Sequence, residues 1–107
     1  MPTKSRFNAD LTGKVNYGHK VIVSIISLAS LEIRGVASLQ GKKVRTEIID
    51  DTINIDVYIE VVIGFSCADV AYKVQENVKR SVEGMTTLKV GTINVNVLGV
   101  CFDESKQ

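Results

Sequence analysis

The most constraining feature of the chain is a two-residue alternation between positions 53 and 63. The apolar positions of this alternation are Ile53, Ile55, Val57, Ile59, Val61 and Ile63, and the intervening positions include Asn54, Asp56, Tyr58 and Glu60. Successive side chains of a β-strand point to opposite faces of a sheet, so a period of two predicts a strand with one buried face. We therefore expect a sheet that carries a hydrophobic core on one side.

A helical pattern follows this strand. Ser66 stands where a helix N-cap is needed, because its hydroxyl can accept a hydrogen bond from the amide of Asp69. Apolar residues then recur every three or four positions, which predicts one buried stripe on an otherwise polar helix. The predicted stripe consists of Val70, Ala71, Val74, Val78, Val82 and Met85.

Another helix is predicted from about residue 18 to residue 34. Its expected apolar stripe consists of Val21, Ile22, Ile25, Leu28, Ala29 and Ile33. The β-branched residues would also suit a strand, but a strand of this length would be unusual, so length favours the helix. Gly35 follows at the position where many helices end in a left-handed residue.

Two further strands complete the predicted fold. Residues 39–43 are predicted to be a polar loop, residues 44–49 a short strand, and residues 88–100 a last strand. Asp50 and Asp51 supply turn chemistry before the alternating strand. The order α-β-β-α-β predicts an α+β two-layer sandwich, with a three-stranded mixed sheet and both helices on one face.

The length of 107 residues suits a single domain. We assign residues 1–13 to a flexible N-terminal arm, 14–102 to the folded domain and 103–107 to a C-terminal tail. The apolar run at 21–26 is too short to cross a bilayer, and no signal-peptide core is recognised, which predicts a cytoplasmic protein without direct membrane insertion. Cys67 and Cys101 are widely separated and are expected to be reduced thiols that form no disulfide.

The inventory of reactive side chains is small. His19 is the single histidine, and with Cys67 and Cys101 it lacks the spacing of a zinc site. Cys67 lies in the first turn of a predicted helix, where it is either a reactive thiol or a small buried side chain. No phosphate-binding or nucleophile motif is present. We therefore expect no catalytic residues, no metal, no cofactor and no enzymatic activity.

RNA binding is a rival hypothesis. Lys42, Lys43 and Arg45 form a small basic cluster, but the net charge is only +1. The chain has no GxxG loop and no aromatic platform of the kind that RNA-binding modules use. Nucleic acid is therefore not the favoured partner.

The outer face of the predicted sheet is the candidate interface. It combines polar residues with Tyr58, Val62 and Leu98, which add apolar and aromatic area suited to protein contact. We predict self-association or partner binding through this face or through a sheet edge. The predicted interface residues are Asn54, Asp56, Tyr58, Glu60, Val62, Asn94, Asn96 and Leu98.

The junction between the second helix and the last strand carries a family resemblance. Residues 74–90 read VQENVKRSVEGMTTLKV and lead into INVNVLGV at residues 93–100. With the 53–64 strand and the Arg34-Gly35-Val36 step, this arrangement resembles the alkaline shock protein family, the envelope stress response proteins of Gram-positive bacteria. The resemblance covers residues 13 to 100.

The resemblance implies a non-catalytic, self-associating protein in cell-envelope homeostasis. It implies a protein partner, either an integral-membrane protein that anchors the chain beneath the membrane or an enzyme of fatty-acid or phospholipid metabolism that the chain regulates. No catalytic motif of the family is available for transfer. A homo-oligomeric scaffold or adaptor is the leading hypothesis, with a regulatory partner of such an enzyme and a small RNA-binding module as alternatives.

Overall fold

The computed structural model describes residues 8–9, 15–16 and 18–102. In chain order the elements are β1 (Asn8–Ala9), β2 (Val15–Asn16), α1 (His19–Leu31), β3 (Val36–Ile49), β4 (Thr52–Val62), α2 (Cys67–Met85) and β5 (Lys89–Cys101). The predicted α+β class with two helices is confirmed. The main sheet has three strands, as predicted, but the total strand count was too low. β1 and β2 form a separate two-stranded sheet and are too short to show an alternation.

The boundaries of the predicted arm and tail stay predictions. The tail, 103–107, lies outside the described residues, and so does the arm, 1–13, except for β1 at residues 8–9.

The main sheet has the order β3-β4-β5, with β4 in the centre. β3 and β4 are antiparallel and form a hairpin, whereas β4 and β5 are parallel and are joined through α2. Asp50 at the hairpin turn has a φ of 57°, a left-handed conformation that aspartate tolerates better than most residues.

The alternation of β4 determines where the core lies. Ile53, Ile55, Val57, Ile59 and Val61 are all buried, and the residues between them are half-buried. The buried residues of both helices belong to the same hydrophobic cluster as these five, so both helices cover the same face of the sheet. Ile63 departs from the prediction, because β4 ends at Val62 and Ile63 is exposed.

The second predicted helix is confirmed at its start. The Ser66 hydroxyl accepts a hydrogen bond from the Asp69 amide at 3.3 Å, and Val70, Val74, Val78 and Val82 are buried. Ala71 is half-buried.

The C-terminal end of α2 differs from the predicted stripe. Met85 is 45% exposed, because the helix ends there and the chain turns away. Thr86 is buried instead. Its hydroxyl donates to the Val82 carbonyl at 2.7 Å and accepts from the Leu88 amide at 3.1 Å, so the buried polar group is satisfied.

The stripe predicted for α1 was partly wrong. Leu28 is 64% exposed and Val21 is also exposed, whereas Ile26 and Ser30 are fully buried. Apolar residues surround most of this helix, so periodicity did not choose between two overlapping faces. Ser30 is tolerated in the core because its hydroxyl donates to the Ile26 carbonyl at 2.9 Å.

The loop predicted at 39–43 is part of a strand. β3 runs through it, and its register with β4 shifts between Leu39 and Val44, so extra residues of β3 are accommodated as an irregularity.

The start of β3 depends on Gly35, whose φ of 101° is the left-handed conformation expected after the helix. A Cβ at Gly35 would lie 2.7 Å from the Val70 side chain, so the close approach of this turn to α2 requires glycine.

The rotated stripe of α1 leads to a prediction. Ile26→Ala should lower the free energy of unfolding by about 2–5 kcal/mol, because it leaves a cavity in the core. Leu28→Ala, two residues along the same helix, should change it by no more than about 0.5 kcal/mol. Urea unfolding followed by circular dichroism measures both values, and similar losses for the two variants would contradict this orientation of α1.

Candidate functional site

The described residues contain no cluster of three or more histidine, cysteine or acidic side chains that could hold a metal ion. His19 is exposed, and its ring Nδ1 lies 3.5 Å from the Thr46 hydroxyl. Cys67 and Cys101 are half-buried free thiols, Cys67 at the start of α2 and Cys101 at the end of β5. His19, Cys67 and Cys101 therefore do not form a three-ligand metal site.

Residues described in the structure line at least two shallow surface cavities. One, of about 390 Å³, is lined by Ile33, Tyr72, Lys73, Glu76, Asn77 and Arg80 on the helical side. The other, of about 430 Å³, lies over the outer face of the β3–β4 hairpin and is lined by Arg45, Thr46, Glu47, Asn54 and Asp56. Their linings hold no nucleophile paired with a base.

The outer face of the sheet gathers most of the predicted interface residues. The even-numbered residues of β4 point away from the helices, and the β4–β5 register sets Asp56 beside Asn94 and Tyr58 beside Asn96. Leu98 differs, because the register moves from Val97 to Gly99 and leaves it as an unpaired, 55% exposed bulge residue. The face therefore brings together seven predicted residues, and Leu98 lies at its outer edge.

Hydrogen bonds between strands hold the polar side chains of this face. The Asn94 amide donates to the Asp56 carboxylate at 2.9 Å, and the Asn96 amide donates to the Val57 carbonyl at 3.4 Å. Towards the other neighbouring strand, β3, the Ser38 hydroxyl donates to the Glu60 carboxylate at 3.5 Å. Because these groups already have partners, another molecule can cover the face without leaving them unsatisfied.

Asn54 organises the start of β5, a role that the sequence reasoning missed. Its side-chain oxygen accepts from both the amide and the hydroxyl of Thr92, each at 3.1 Å. Gly91 is the extra residue of a bulge at this point, and a Cβ there would lie 2.5 Å from the same oxygen. A glycine inside a strand pattern was the available signal, because such glycines often mark bulges or close approaches.

None of the helices in the described part of the chain is both long enough and apolar enough to span a membrane.

Comparison with known proteins identifies the family to which the chain belongs. The family model of alkaline shock protein 23, described as having a cell envelope-related function, matches residues 41–102. The chain belongs to the alkaline shock protein family. The match includes the whole of β4, α2 and β5 and therefore the outer face, and it confirms the resemblance seen in the sequence.

Two bacterial relatives support the assignment of this alkaline shock protein family member. The uncharacterized protein YqhY of Bacillus subtilis is 35% identical over 111 residues, an alignment that covers 89% of this chain and 82% of YqhY. The uncharacterized protein Spy1535 of Streptococcus pyogenes is 23% identical over 108 residues, covering 87% and 83% of the two chains.

Solved structures show the same fold at low identity. A MamM-CTD variant superposes with a TM-score of 0.64 at 16% identity, covering 77% of this chain and 98% of that one. A manganese form of MamM CTD gives 0.62 at 16% identity, covering 75% and 96%. At this level of identity the likeness concerns the fold alone.

The role of Asn54 is open to a direct test. Asn54→Ala should lower the free energy of unfolding by about 1 kcal/mol and speed hydrogen exchange at the Thr92 amide, because that amide loses its acceptor. Asn94→Ala is the matched control, since it removes only a bond between side chains. Unchanged exchange at Thr92 in Asn54→Ala would contradict the assigned role.

Proposed function

We propose that this member of the alkaline shock protein family is a non-enzymatic scaffold or adaptor in cell-envelope homeostasis and stress response. It works by associating with copies of itself and by binding another protein, through the outer face of its sheet and the adjoining edge. The observation that carries the proposal is this face, which lies opposite both helices and combines partnered polar groups with Tyr58, Val62 and Leu98.

The physical properties of the face suit protein contact. Tyr58 and Val62 are half-buried on the central strand, and the exposed Leu98 adds apolar area beside them. Cross-strand hydrogen bonds restrict the neighbouring polar side chains before any partner arrives, so less rotamer entropy is lost on binding. An aromatic residue near the centre of such a face is a common anchor of binding energy.

The non-enzymatic part of the proposal rests on the chemistry of the described residues. They bring together no metal-ligand cluster, and the two cysteines are free thiols. The family description gives a cell envelope-related function and names no reaction.

The protein partner is proposed to be either an integral-membrane anchor or an enzyme of fatty-acid or phospholipid metabolism. The first would place the chain at the inner membrane surface through its partner, and the second would make it a regulatory subunit. Both use the same face, and they differ in where the complex is found.

The outer face generates a prediction about native mass. Tyr58→Lys should weaken self-association by about tenfold or more, because it places a charge in the centre of the contact. Tyr72→Lys is the matched control, since Tyr72 is 62% exposed on the helical side. Light scattering after size exclusion, over a range of protein concentrations, measures the mass of each variant.

Circular dichroism of both tyrosine variants checks that they are folded. A wild-type chain that stays monomeric at all concentrations would contradict the self-association, and equal losses in the two variants would contradict the choice of face.

The RNA-binding alternative is disfavoured by the surroundings of Arg45. The β3–β4 register sets Arg45 beside Asp56, and Glu47 lines the same cavity, so two carboxylates reduce the attraction of this site for phosphate.

We accordingly expect no specific binding of a labelled single-stranded RNA at physiological salt in fluorescence anisotropy. Binding that weakens steeply with rising salt, and that is reduced by Arg45→Ala, would support the RNA module instead.

A further inference from the structure

The last strand of the sheet has an open side. β5 is an edge strand, and among the described residues no strand pairs with the side that faces away from β4. The Lys89 amide donates to Asp51 and the Cys101 carbonyl accepts from Ile63, so the backbone groups of both ends point towards β4. Between these two points the direction of the backbone groups alternates from residue to residue.

The two bulges decide which groups point outwards. Gly91 and Leu98 are the extra residues of β5 at its two register shifts, and each moves the alternation by one position. When the alternation is followed from Lys89 to Cys101 with these two shifts, the backbone groups of both end residues point towards β4, as their hydrogen bonds require. The outward N–H and C=O groups belong to Val90, Ile93, Val95, Val97 and Val100.

Helix α2 covers the first part of this open edge. The Glu83 carboxylate accepts from the outward Val90 amide at 2.9 Å. The Gln75 amide donates to the outward Ile93 carbonyl at 2.9 Å. Among the described residues, no side chain makes a comparable hydrogen bond to the outward groups of Val95, Val97 or Val100. With respect to the described part of the chain, the edge is therefore capped at its start and open over residues 95–100.

Charge distinguishes the two edges of the sheet. Edge strands of soluble proteins commonly carry charged residues that prevent pairing with another chain. β3, the opposite edge, contains Lys42, Lys43, Arg45 and Glu47. From Val90 to Phe102 there is no charged residue at all. The open part of β5 thus lacks the usual protection.

Exposed apolar side chains surround the open part of β5. Leu98 is 55% exposed, Val100 54% and Phe102 71%. Ile63 is also exposed and lies beside Cys101 through its backbone hydrogen bond. We call Ile63, Leu98, Val100 and Phe102 the edge patch. A strand added at this edge would cover the patch as well as pair the backbone groups.

We propose that β5 pairs antiparallel with β5 of a second copy of this chain, about a two-fold axis within residues 95–100. The proposal rests on the self-association proposed above and adds an edge contact to it. Tyr58→Lys would then weaken the association of these dimers through their outer faces and would leave the edge contact in place. The pairing would join two three-stranded sheets into one continuous sheet of six strands.

The absence of charge beyond Lys89 in β5 favours the same strand of a second copy as its pairing partner. Two-fold pairing brings each residue opposite itself or a near neighbour, which a charged edge would resist through like-charge repulsion. β5 meets this condition because residues 90–102 are uncharged. Pairing of β5 with β3 of another copy would set Arg45 and Glu47 against the edge patch, so this contact closes at two chains and does not extend into a filament.

The dimer would also enlarge the proposed binding surface. Because β5 borders the outer face, edge pairing brings the two outer faces side by side in one sheet. Tyr58 of each copy would then lie on the second strand from the axis, outside the edge contact and available for the outer-face contact.

Substitutions at Val100 test the pairing. Val100→Pro removes an outward amide and leaves the β4 pairing intact, and proline is tolerated on edge strands. Val100→Lys places a charge in the edge patch. Each should raise the dimer dissociation constant by about tenfold or more in analytical ultracentrifugation. Ile48→Lys is the control, because Ile48 is exposed on the opposite edge strand.

Disulfide trapping locates the contact. In a Cys67→Ser, Cys101→Ser background, either Leu98→Cys or Val100→Cys, whichever lies nearer the two-fold axis, should form an intermolecular disulfide under mild oxidation, and Ile48→Cys should not. Trapping at residues 98 or 100, together with a raised dissociation constant in the Val100 variants, supports edge pairing.

Three outcomes would overturn it. A dimer that resists the Val100 variants but is lost in Tyr58→Lys would remove edge pairing and leave the proposed self-association in place. A wild-type monomer at all concentrations would remove both. A monomer that instead takes up an extended strand of a different protein at β5 would assign this edge to another partner.

Discussion

The one-sided burial of β4 is the constraint on which the rest of the structure depends. Five apolar side chains of this central strand face one direction, and every other element is arranged around them. Both helices must lie on that face, because their apolar stripes can be buried only there. The opposite face is consequently left to half-buried polar residues, with Tyr58 and Val62 among them. The candidate interface follows directly from the location of the core.

The neighbours of β4 give the two sides of the sheet different properties. β3 arrives by a tight hairpin and carries charges along its length, whereas β5 arrives parallel, after a helix, and is uncharged beyond Lys89. The Asn54–Thr92 bonds and the Gly91 bulge determine which backbone groups of β5 point outwards. In a family with a cell envelope-related function, this asymmetry places the proposed binding face beside the proposed pairing edge in one small domain.

Local patterns predicted the elements whose burial is unambiguous. The β4 alternation and the Ser66 cap could be read from the residues, because strand period and capping depend on near neighbours. The α1 face was predicted in part incorrectly, since apolar residues occupy more than one side and Ser30 is buried through a bond to Ile26. The irregular middle of β3 was predicted to be a loop because its polar residues show no alternation.

The sequence alone determined that β4 has one buried face, that α2 packs through its valine stripe, and which residues occupy the outer face of β4. These properties depend on periods of two and of three to four residues within one segment. Tertiary structure decided the rest: the side of α1 that is buried, the parallel pairing of β5 beside β4, and the part of the β5 edge that α2 leaves open. These depend on contacts between segments far apart in the chain, and no local period encodes them.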